Sequence, residues 1–155
     1  MTEIQTIKDL DKQLKNDEKK HVFILLYTED CLQCFQTMED MNSIFNDVIS
    51  WYPEELVSFY RVDGILQSSI SKRFGVSTFP TLLHVWKEDN ITEFGLLPRN
   101  YDNYKKWILS LMGQEALKEG VSIPKSKDAI FVENVQKQIE EIITVANKQS
   151  QLSTQ

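Results

Sequence analysis

A chain of 155 residues with 41% hydrophobic and 26% charged side chains has the size and composition of one soluble globular domain, which excludes a disordered or fibrous protein. Its 17 basic and 23 acidic residues give a net charge of −6, without the concentrated basic face that binding to nucleic acid requires. There is no bilayer-spanning apolar run and no signal peptide, so we expect no membrane contact and a cytoplasmic location. The lumen of the endoplasmic reticulum is the alternative if the sequence is a fragment of a secretory protein.

The first half of the chain predicts a helix, a buried strand and a second helix. The elements are a helix carrying Ile7, Leu10 and Leu14, a strand from His21 to Tyr27, and a helix from about Cys31 to before Pro53 with an apolar stripe of Leu32, Phe35, Met38, Met41, Phe45 and Ile49. The helices follow from apolar residues at three- and four-residue steps. The uninterrupted apolar strand is typical of a central strand that is buried on both faces.

The second half predicts a strand and a short helix, then a hairpin and another helix. These are a strand from Leu56 to Asp63, a helix from Ile65 to Phe74 closed by Gly75, a strand from Thr81 to Trp86, a turn from Lys87 to Asn90, a strand from Ile91 to Phe94, and a helix carrying Tyr104, Trp107, Ile108 and Leu111 with Asn100 or Asp102 as its cap. The pattern predicts an α/β fold with a central mixed sheet flanked by helices.

A C-terminal extension follows the domain, which we place at residues 1–119. Residues 120–127 are predicted to be a linker and 150–155 to be disordered. Between them, residues 128–149 predict an amphipathic helix whose apolar stripe is Val132, Val135, Ile139, Ile142 and Ala146. A helix of this length is not stable alone in water, so it either packs on the domain or binds a partner or a second copy.

Both cysteines of the chain, Cys31 and Cys34, lie in one Cys-x-x-Cys segment at the predicted start of the second helix. A helix N-terminus stabilises a thiolate, and a residue one turn further along lies on the same side. The pair therefore predicts disulfide exchange, with Cys31 as nucleophile and Cys34 as resolving thiol. Two small core residues are the simpler alternative. A metal site is not predicted, because it needs two more ligands and the only candidates, His21 and His84, are expected to be structural.

A proline at the start of a predicted strand is the second unusual feature, because proline lacks the backbone donor that a central strand uses. Pro80, with Gly75 before it and Thr81 after it, resembles the cis-proline loop of the thioredoxin superfamily, which faces a Cys-x-x-Cys pair. The two cysteines are similar to that pair. The order of elements agrees with the superfamily over residues 4–112.

Within the superfamily, the chain is most similar to the catalytic, a-type domains of protein disulfide isomerases. The matching features are Val62–Asp63, the turn Arg73–Val76, and Arg99 placed eight residues before Trp107. The resemblance implies a thioredoxin-like fold and a thiol–disulfide oxidoreductase or isomerase that reduces, oxidises or isomerises disulfides of proteins and peptides. It implies no cofactor beyond the dithiol, and it assigns to Arg99 the role of lowering the pKa of Cys34.

The same resemblance implies a substrate-binding surface around the cysteines. Its predicted residues are Leu32 and Gln33 between the cysteines, and Thr78, Phe79 and Pro80 of the proline loop. The proline loop would hold an extended peptide by backbone hydrogen bonds. For Phe79, a place in the core is the alternative.

Three positions depart from the family pattern. The first two predict weaker catalysis, and the third removes the histidine that makes some relatives oxidising. Asp30, beside Glu29, replaces the usual tryptophan, and two carboxylates should raise the pKa of the neighbouring thiol. Leu25 replaces the buried acid that relays protons to the second cysteine. Leu32–Gln33 replaces Gly-Pro or Gly-His between the cysteines. The alternative function is therefore a thioredoxin-fold binding or adaptor module with a weakly active or regulatory cysteine pair.

Overall fold

Helices and strands alternate along the part of the chain that the computed structural model describes, residues 1–95 and 97–118 together with Ile139 and Ile142. The elements are β1 (Thr2–Glu3), α1 (Ile7–Asn16), β2 (His21–Tyr27), α2 (Leu32–Trp51), β3 (Val57–Asp63), α3 (Ser68–Phe74), β4 (Thr81–Trp86), β5 (Asn90–Glu93) and α4 (Tyr101–Lys118). One short 3-10 turn, Glu54–Leu56, precedes β3.

The strands of the described residues form one mixed sheet in the order β1-β3-β2-β4-β5. β2 is the central strand, parallel to β3 on one side and antiparallel to β4 on the other. The predicted α/β fold with a central mixed sheet and flanking helices is confirmed.

Side chains of β2 enter two separate cores, because successive residues of a strand point to opposite faces of the sheet. Phe23 and Leu25 belong to a cluster with α2 and α4, whereas Val22, Ile24 and Leu26 belong to a cluster with α1 and α3. Burial on both faces explains why the strand is apolar at every interior position.

The buried face of α2 differs from the predicted stripe. Its buried residues are Cys34, Thr37, Met41, Ile44 and Val48. Of the predicted set, only Met41 is fully buried, Met38, Phe45 and Ile49 lie at the edge of the core, and Leu32 and Phe35 are exposed. The prediction was wrong for the first turn because α2 is apolar over a wide sector, and packing against the sheet and α4 selects one of two overlapping stripes.

The segment between β3 and α3 is a turn, so α3 begins at Ser68 rather than at the predicted Ile65. The carboxylate of Asp63 accepts hydrogen bonds from the backbone N–H groups of Ile65 and Leu66, both at 3.0 Å. Such a side-chain contact competes with a helical start at these residues. The helix ends as predicted at Gly75, whose φ of +67° lies in the left-handed region.

The outer strands were predicted less well than the central ones. The two-residue β1, parallel to β3, is too short to show a periodic pattern and was not predicted. β5 begins at Asn90 instead of Ile91 and ends before Phe94. At the start of α4, Asn100 Oδ1 accepts the N–H of Asn103 at 2.9 Å, so Asn100 is the cap.

The predicted linker 120–127, the helix 128–149 and the tail 150–155 lie outside the described residues, with two exceptions. Ile139 and Ile142 are helical and their side chains are exposed. Among the described helices, none combines the length and the apolar content that crossing a bilayer would need.

Candidate functional site

The two cysteines lie at the junction of the central strand and α2. Cys31 is the N-cap residue of α2, and Cys34 lies in its first turn. Their Cα atoms are 5.2 Å apart and their sulfurs form a disulfide bond. The helix start and the proximity of the two sulfurs, both predicted from the sequence, are confirmed.

The two sulfurs differ in accessibility. Cys31 is partly exposed, whereas Cys34 is completely buried. A molecule from solution therefore reaches Cys31 first. This difference supports Cys31 as the nucleophile and Cys34 as the resolving thiol.

The backbone of α2 makes a direct contact with the first sulfur. The N–H of Cys34 donates to Sγ of Cys31 at 3.1 Å, the contact that an N-cap side chain normally accepts. A hydrogen bond to an anion is stronger than one to a neutral acceptor, so the same N–H group stabilises the thiolate when the pair is reduced.

The loop before Cys31 carries two exposed carboxylates, Glu29 and Asp30. Asp30 has a φ of +58°, a left-handed conformation that Asp adopts more readily than most other residues. Negative charges beside a thiol disfavour its thiolate, so this loop opposes the effect of the helix N-terminus.

The proline loop lies at the same end of the sheet as the cysteines. Because β4 is antiparallel to β2, its first residue, Thr81, pairs with Leu26 near the end of β2. Pro80 therefore precedes β4 at the edge from which Cys31 follows β2. The Phe79–Pro80 peptide bond is cis, and Pro80 is buried.

The Phe79 ring packs against the turn that follows β3. It is partly buried and joins the core cluster of α1 and α3. A Cβ atom added at Gly64 would lie 2.6 Å from Cζ of Phe79, so glycine is what permits this close approach. Phe79 thus connects the proline loop to the β3–α3 turn. The alternative prediction, a core position for Phe79, holds for the buried part of its side chain.

The other residues of the predicted substrate surface are accessible. Leu32, Gln33 and Thr78 are exposed. The carbonyl of Thr78 accepts a hydrogen bond from Oγ1 of Thr81 at 2.7 Å, which fixes the loop on the sheet side. The structure thus brings Leu32, Gln33 and the proline loop to one end of the sheet, next to the cysteines.

At the position of the missing acid, Leu25 is fully enclosed by the core. It pairs with Arg61 of β3 and Leu82 of β4 and packs in the cluster with α2 and α4. Where the family pattern has a carboxylate, this chain therefore has an apolar side chain, which faces α2.

A buried hydroxyl pair that sequence reasoning missed lies one turn beyond Cys34. Oγ1 of Thr37 and the hydroxyl of Tyr104 are 3.0 Å apart and join α2 to α4. Burial raises the pKa of Tyr104, while the Thr37 contact and the charge of Arg99 lower it. Arg99 itself is exposed and lies in the segment before α4. The available signal was a polar residue three positions after Cys34 and four before Met41, at helical spacing.

A second missed contact joins the strands on the β1 side. The hydroxyl of Tyr27 donates to Glu3 Oε1, and Glu3 Oε2 lies 3.4 Å from Nε of Arg61. Arg61 also reaches Sδ of Met38 on α2, at 3.1 Å from Nη1. Because β1 is only two residues long, no pattern in the sequence pointed to Glu3.

The two histidines contact each other and not the cysteines. Nδ1 of His21 and Nε2 of His84 are 3.0 Å apart, and both rings are buried. His21 begins β2 and Cys31 follows its end, about 20 Å away at the rise of a strand. Across the described residues, no group of three or more His, Cys, Asp or Glu side chains is arranged to hold a metal ion.

Comparison of whole chains finds likeness in structure only, since no protein-family model and no curated protein matches the sequence. The thioredoxin of Fasciola hepatica superposes with a TM-score of 0.61 at 15% identity, covering 71% of this chain and 98% of that one. Human ERp44 gives 0.61 at 18% identity, covering 72% of this chain and 32% of its own. The first thioredoxin domain of mouse protein disulfide-isomerase A4 gives 0.60 at 15% identity, covering 71% and 74%.

The chain therefore has the thioredoxin fold, and the predicted resemblance is confirmed at that level, with disulfide-isomerase domains among the similar structures. Within that fold, a cysteine pair bonded at the start of α2 supports a thiol–disulfide redox function in general.

Proposed function

We propose that the protein is a thiol–disulfide oxidoreductase that acts on disulfides of proteins or peptides through Cys31 and Cys34. The observation that carries the proposal is the bonded pair at the N-terminus of α2, with an accessible first sulfur and a buried second one. The dithiol itself carries the electrons, so the proposal includes no further cofactor.

In the reducing direction, the thiolate of Cys31 attacks one sulfur of a substrate disulfide. The substrate S–S bond breaks, one half leaves as a thiolate that takes a proton from water, and the other half stays bonded to Cys31. Cys34 then loses its proton and attacks Sγ of Cys31, which releases the second half as a thiol. The dithiol loses two electrons and the substrate gains them; the reverse sequence oxidises a substrate dithiol.

The surrounding residues have supporting roles in this proposal. Leu32, Gln33, Thr78 and Phe79 form the surface on which an extended substrate lies, and the buried Pro80 shapes the loop whose backbone holds it. Arg99 lowers the pKa of Cys34 so that it resolves the mixed disulfide. Arg99 precedes α4, whose Tyr104 hydroxyl contacts Thr37 one turn from Cys34.

Paired cysteine variants test the proposal in an insulin-reduction assay. We expect Cys31→Ser to abolish turnover, because no accessible nucleophile remains. We expect Cys34→Ser to form a mixed disulfide with the substrate that persists and is seen by mass spectrometry, because nothing resolves it. Insulin reduction that survives in the Cys31→Ser protein would refute the mechanism.

A second candidate function is a thioredoxin-fold binding or adaptor module with a weakly active cysteine pair. The apolar Leu25 and the carboxylates of Glu29 and Asp30 favour it, because they remove a proton relay and disfavour the thiolate. The rate of alkylation by iodoacetamide separates the two functions. A Cys31 thiol pKa near that of free cysteine, with negligible turnover, supports the adaptor.

The remaining expectations belong to the same proposal. The partners are proteins or peptides that carry thiols or disulfides, and residues 128–149 are a candidate segment for binding a partner or a second copy. A cytoplasmic location is proposed, with the lumen of the endoplasmic reticulum as the alternative.

A further inference from the structure

We infer that the substrates are extended segments in which the reacting cysteine has large apolar neighbours and a nearby basic residue. The inference rests on the proposed function and names its substrate class. It comes from four exposed apolar side chains and two carboxylates that the fold gathers at the cysteine end of the sheet. Among the residues with described side chains, large apolar groups with more than a third of their surface exposed are few.

Two of the apolar side chains belong to the first turns of α2. Leu32 is 86% exposed and Phe35 is 50% exposed, although both follow the cysteines closely in sequence. They stand three residues apart and so share one face of the helix. That face is turned away from the buried stripe that begins at Cys34.

The other two, Ile65 and Leu66, belong to the turn after β3, and we call them the Ile65–Leu66 patch. They are 61% and 73% exposed. The carboxylate of Asp63 holds the backbone N–H of both residues at 3.0 Å, so the turn is fixed with both side chains in solvent. Isolated exposed apolar residues are common, but a fixed cluster beside a reactive group is typical of a binding surface.

The sheet places this patch beside the cysteine loop. β2 and β3 are parallel, and their last residues, Tyr27 and Asp63, are register partners. The loops that follow therefore leave the sheet side by side, and the N–H of Gly64 donates to the carbonyl of Tyr27 at 2.8 Å. The Phe79 ring, next to Pro80, packs on Gly64 from the other side.

Negative charge at the cysteine end of the sheet determines which charged residue a substrate segment can carry. Glu29 and Asp30, both exposed, lie in the loop that joins the end of β2 to Cys31. Two arginines are the cations to weigh against them. Arg73, on α3, is paired with Asp11 of α1. Arg99 precedes α4, which packs on the opposite face of the sheet from α3. Carboxylates at the rim of an apolar surface favour a lysine or arginine in the partner and disfavour an acidic residue. One segment with apolar residues and a basic residue near its cysteine satisfies both features.

Three peptide disulfides test the inference with the reduced full-length protein. Each is the symmetric disulfide of a hexapeptide with one cysteine. In the apolar lysine peptide, leucine and valine flank the cysteine and a lysine is nearby; the glutamate peptide has a glutamate instead of the lysine. The glycine–serine peptide keeps the lysine and has glycine and serine beside the cysteine. Thiol release is followed by chromatography. We expect the apolar lysine peptide to react about tenfold faster than either of the others, and the advantage over the glutamate peptide to shrink at high salt.

Two variants assign the preferences to their residues. Ile65→Ser/Leu66→Ser should reduce the rate ratio of the apolar lysine peptide to the glycine–serine peptide about fivefold, because buried aliphatic area is lost. Glu29→Gln/Asp30→Asn should bring the lysine and glutamate peptides to similar rates. The substitutions also change the reactivity of the Cys31 thiol, but this change affects both peptides equally and cancels in the ratio of their rates. Ile91→Ser removes an exposed apolar residue of β5 as a matched control and should change neither ratio.

Equal rates for the three peptides in the unaltered protein would overturn the inference, as would ratios that both variants leave unchanged. Hydroxyethyl disulfide, which has neither apolar neighbours nor charge, separates this failure from failure of the proposed function. If it is reduced while the peptides are not distinguished, only the substrate class is wrong. If neither it nor any peptide is reduced, the oxidoreductase proposal itself fails.

Discussion

Asp30 precedes Cys31 directly and combines a backbone constraint with a negative charge. Its positive φ places it in a conformation that asparagine also tolerates, immediately before the N-cap of α2. The N–H of Cys34 stabilises a thiolate at Cys31, whereas the Asp30 carboxylate opposes it. The reactivity of the pair is thus set by two opposing effects that act on one sulfur.

Replacement of Asp30 by Asn separates these effects, since it keeps the shape and the left-handed tolerance and removes only the charge. We expect the pKa of the Cys31 thiol to fall and alkylation by iodoacetamide at pH 7 to become about two- to threefold faster. Asp89→Asn, in the turn before β5, is the matched control and should leave the rate unchanged. A slower or unaltered rate in the Asp30→Asn protein would contradict this account.

At the scale of elements, β2 and β4 are joined at the end opposite the cysteines by the buried His21–His84 pair. The His21 ring stacks on Trp86 with 4.4 Å between centroids, and His84 packs against Phe23 at 4.9 Å. Burial lowers the pKa of His21 to about 4, and burial followed by the charge of His21 lowers that of His84 to about 3. Both rings are therefore neutral at pH 7 and share one hydrogen bond across the strands.

This pair makes stability depend on pH between 6.5, the ordinary pKa of histidine, and the lowered values of about 4 for His21 and about 3 for His84. Below pH 6.5 the unfolded chain binds protons on both histidines and the folded chain does not, so acid favours unfolding. We expect the free energy of unfolding to fall by about 2 to 4 kcal/mol between pH 7 and pH 5. Urea titrations at the two pH values measure it.

A double variant, His21→Leu/His84→Leu, supplies the comparison, because replacing both partners by apolar groups leaves no unpaired polar atom. Its stability should change much less over the same pH interval. A pH dependence equal to that of the unaltered protein would assign the acid sensitivity to carboxylates instead.

At the scale of the whole molecule, the sheet of the described residues and the redox pair lie within residues 1–118. The two core clusters and both cysteines lie in this range, and the similar structures cover 71–74% of the chain. We expect this part of the chain to fold without residues 128–149.

Deletion from Asp128 onward tests the independence of the domain. We expect the shortened protein to keep its thermal unfolding midpoint within about 2 °C, since every described residue of the two clusters remains, and to keep its rate with hydroxyethyl disulfide. Circular dichroism and light scattering give stability and oligomeric state. A clear loss of stability would show that the deleted segment packs on the domain. If the oligomeric state and the partners are unchanged, the proposed binding role of the segment is refuted.

The sequence by itself determined the features that depend on local pattern. The apolar run of β2, the start of α2 at Cys31 and the left-handed Gly75 are each set by residues that are near neighbours in the chain. Hydrophobic period, capping and glycine at positive φ act over a few residues, so they can be read without the fold.

Tertiary structure alone decided which face of α2 is buried, because two overlapping stripes are compatible with the same helix and only the sheet and α4 select one. It also decided the pairing of His21 with His84 and of Thr37 with Tyr104, which are 63 and 67 residues apart in the chain. It also decided that Leu32, Phe35, Ile65 and Leu66 are exposed at the cysteine end of the sheet. Local pattern carries no information about them, since burial depends on what packs against a side chain from distant parts of the chain.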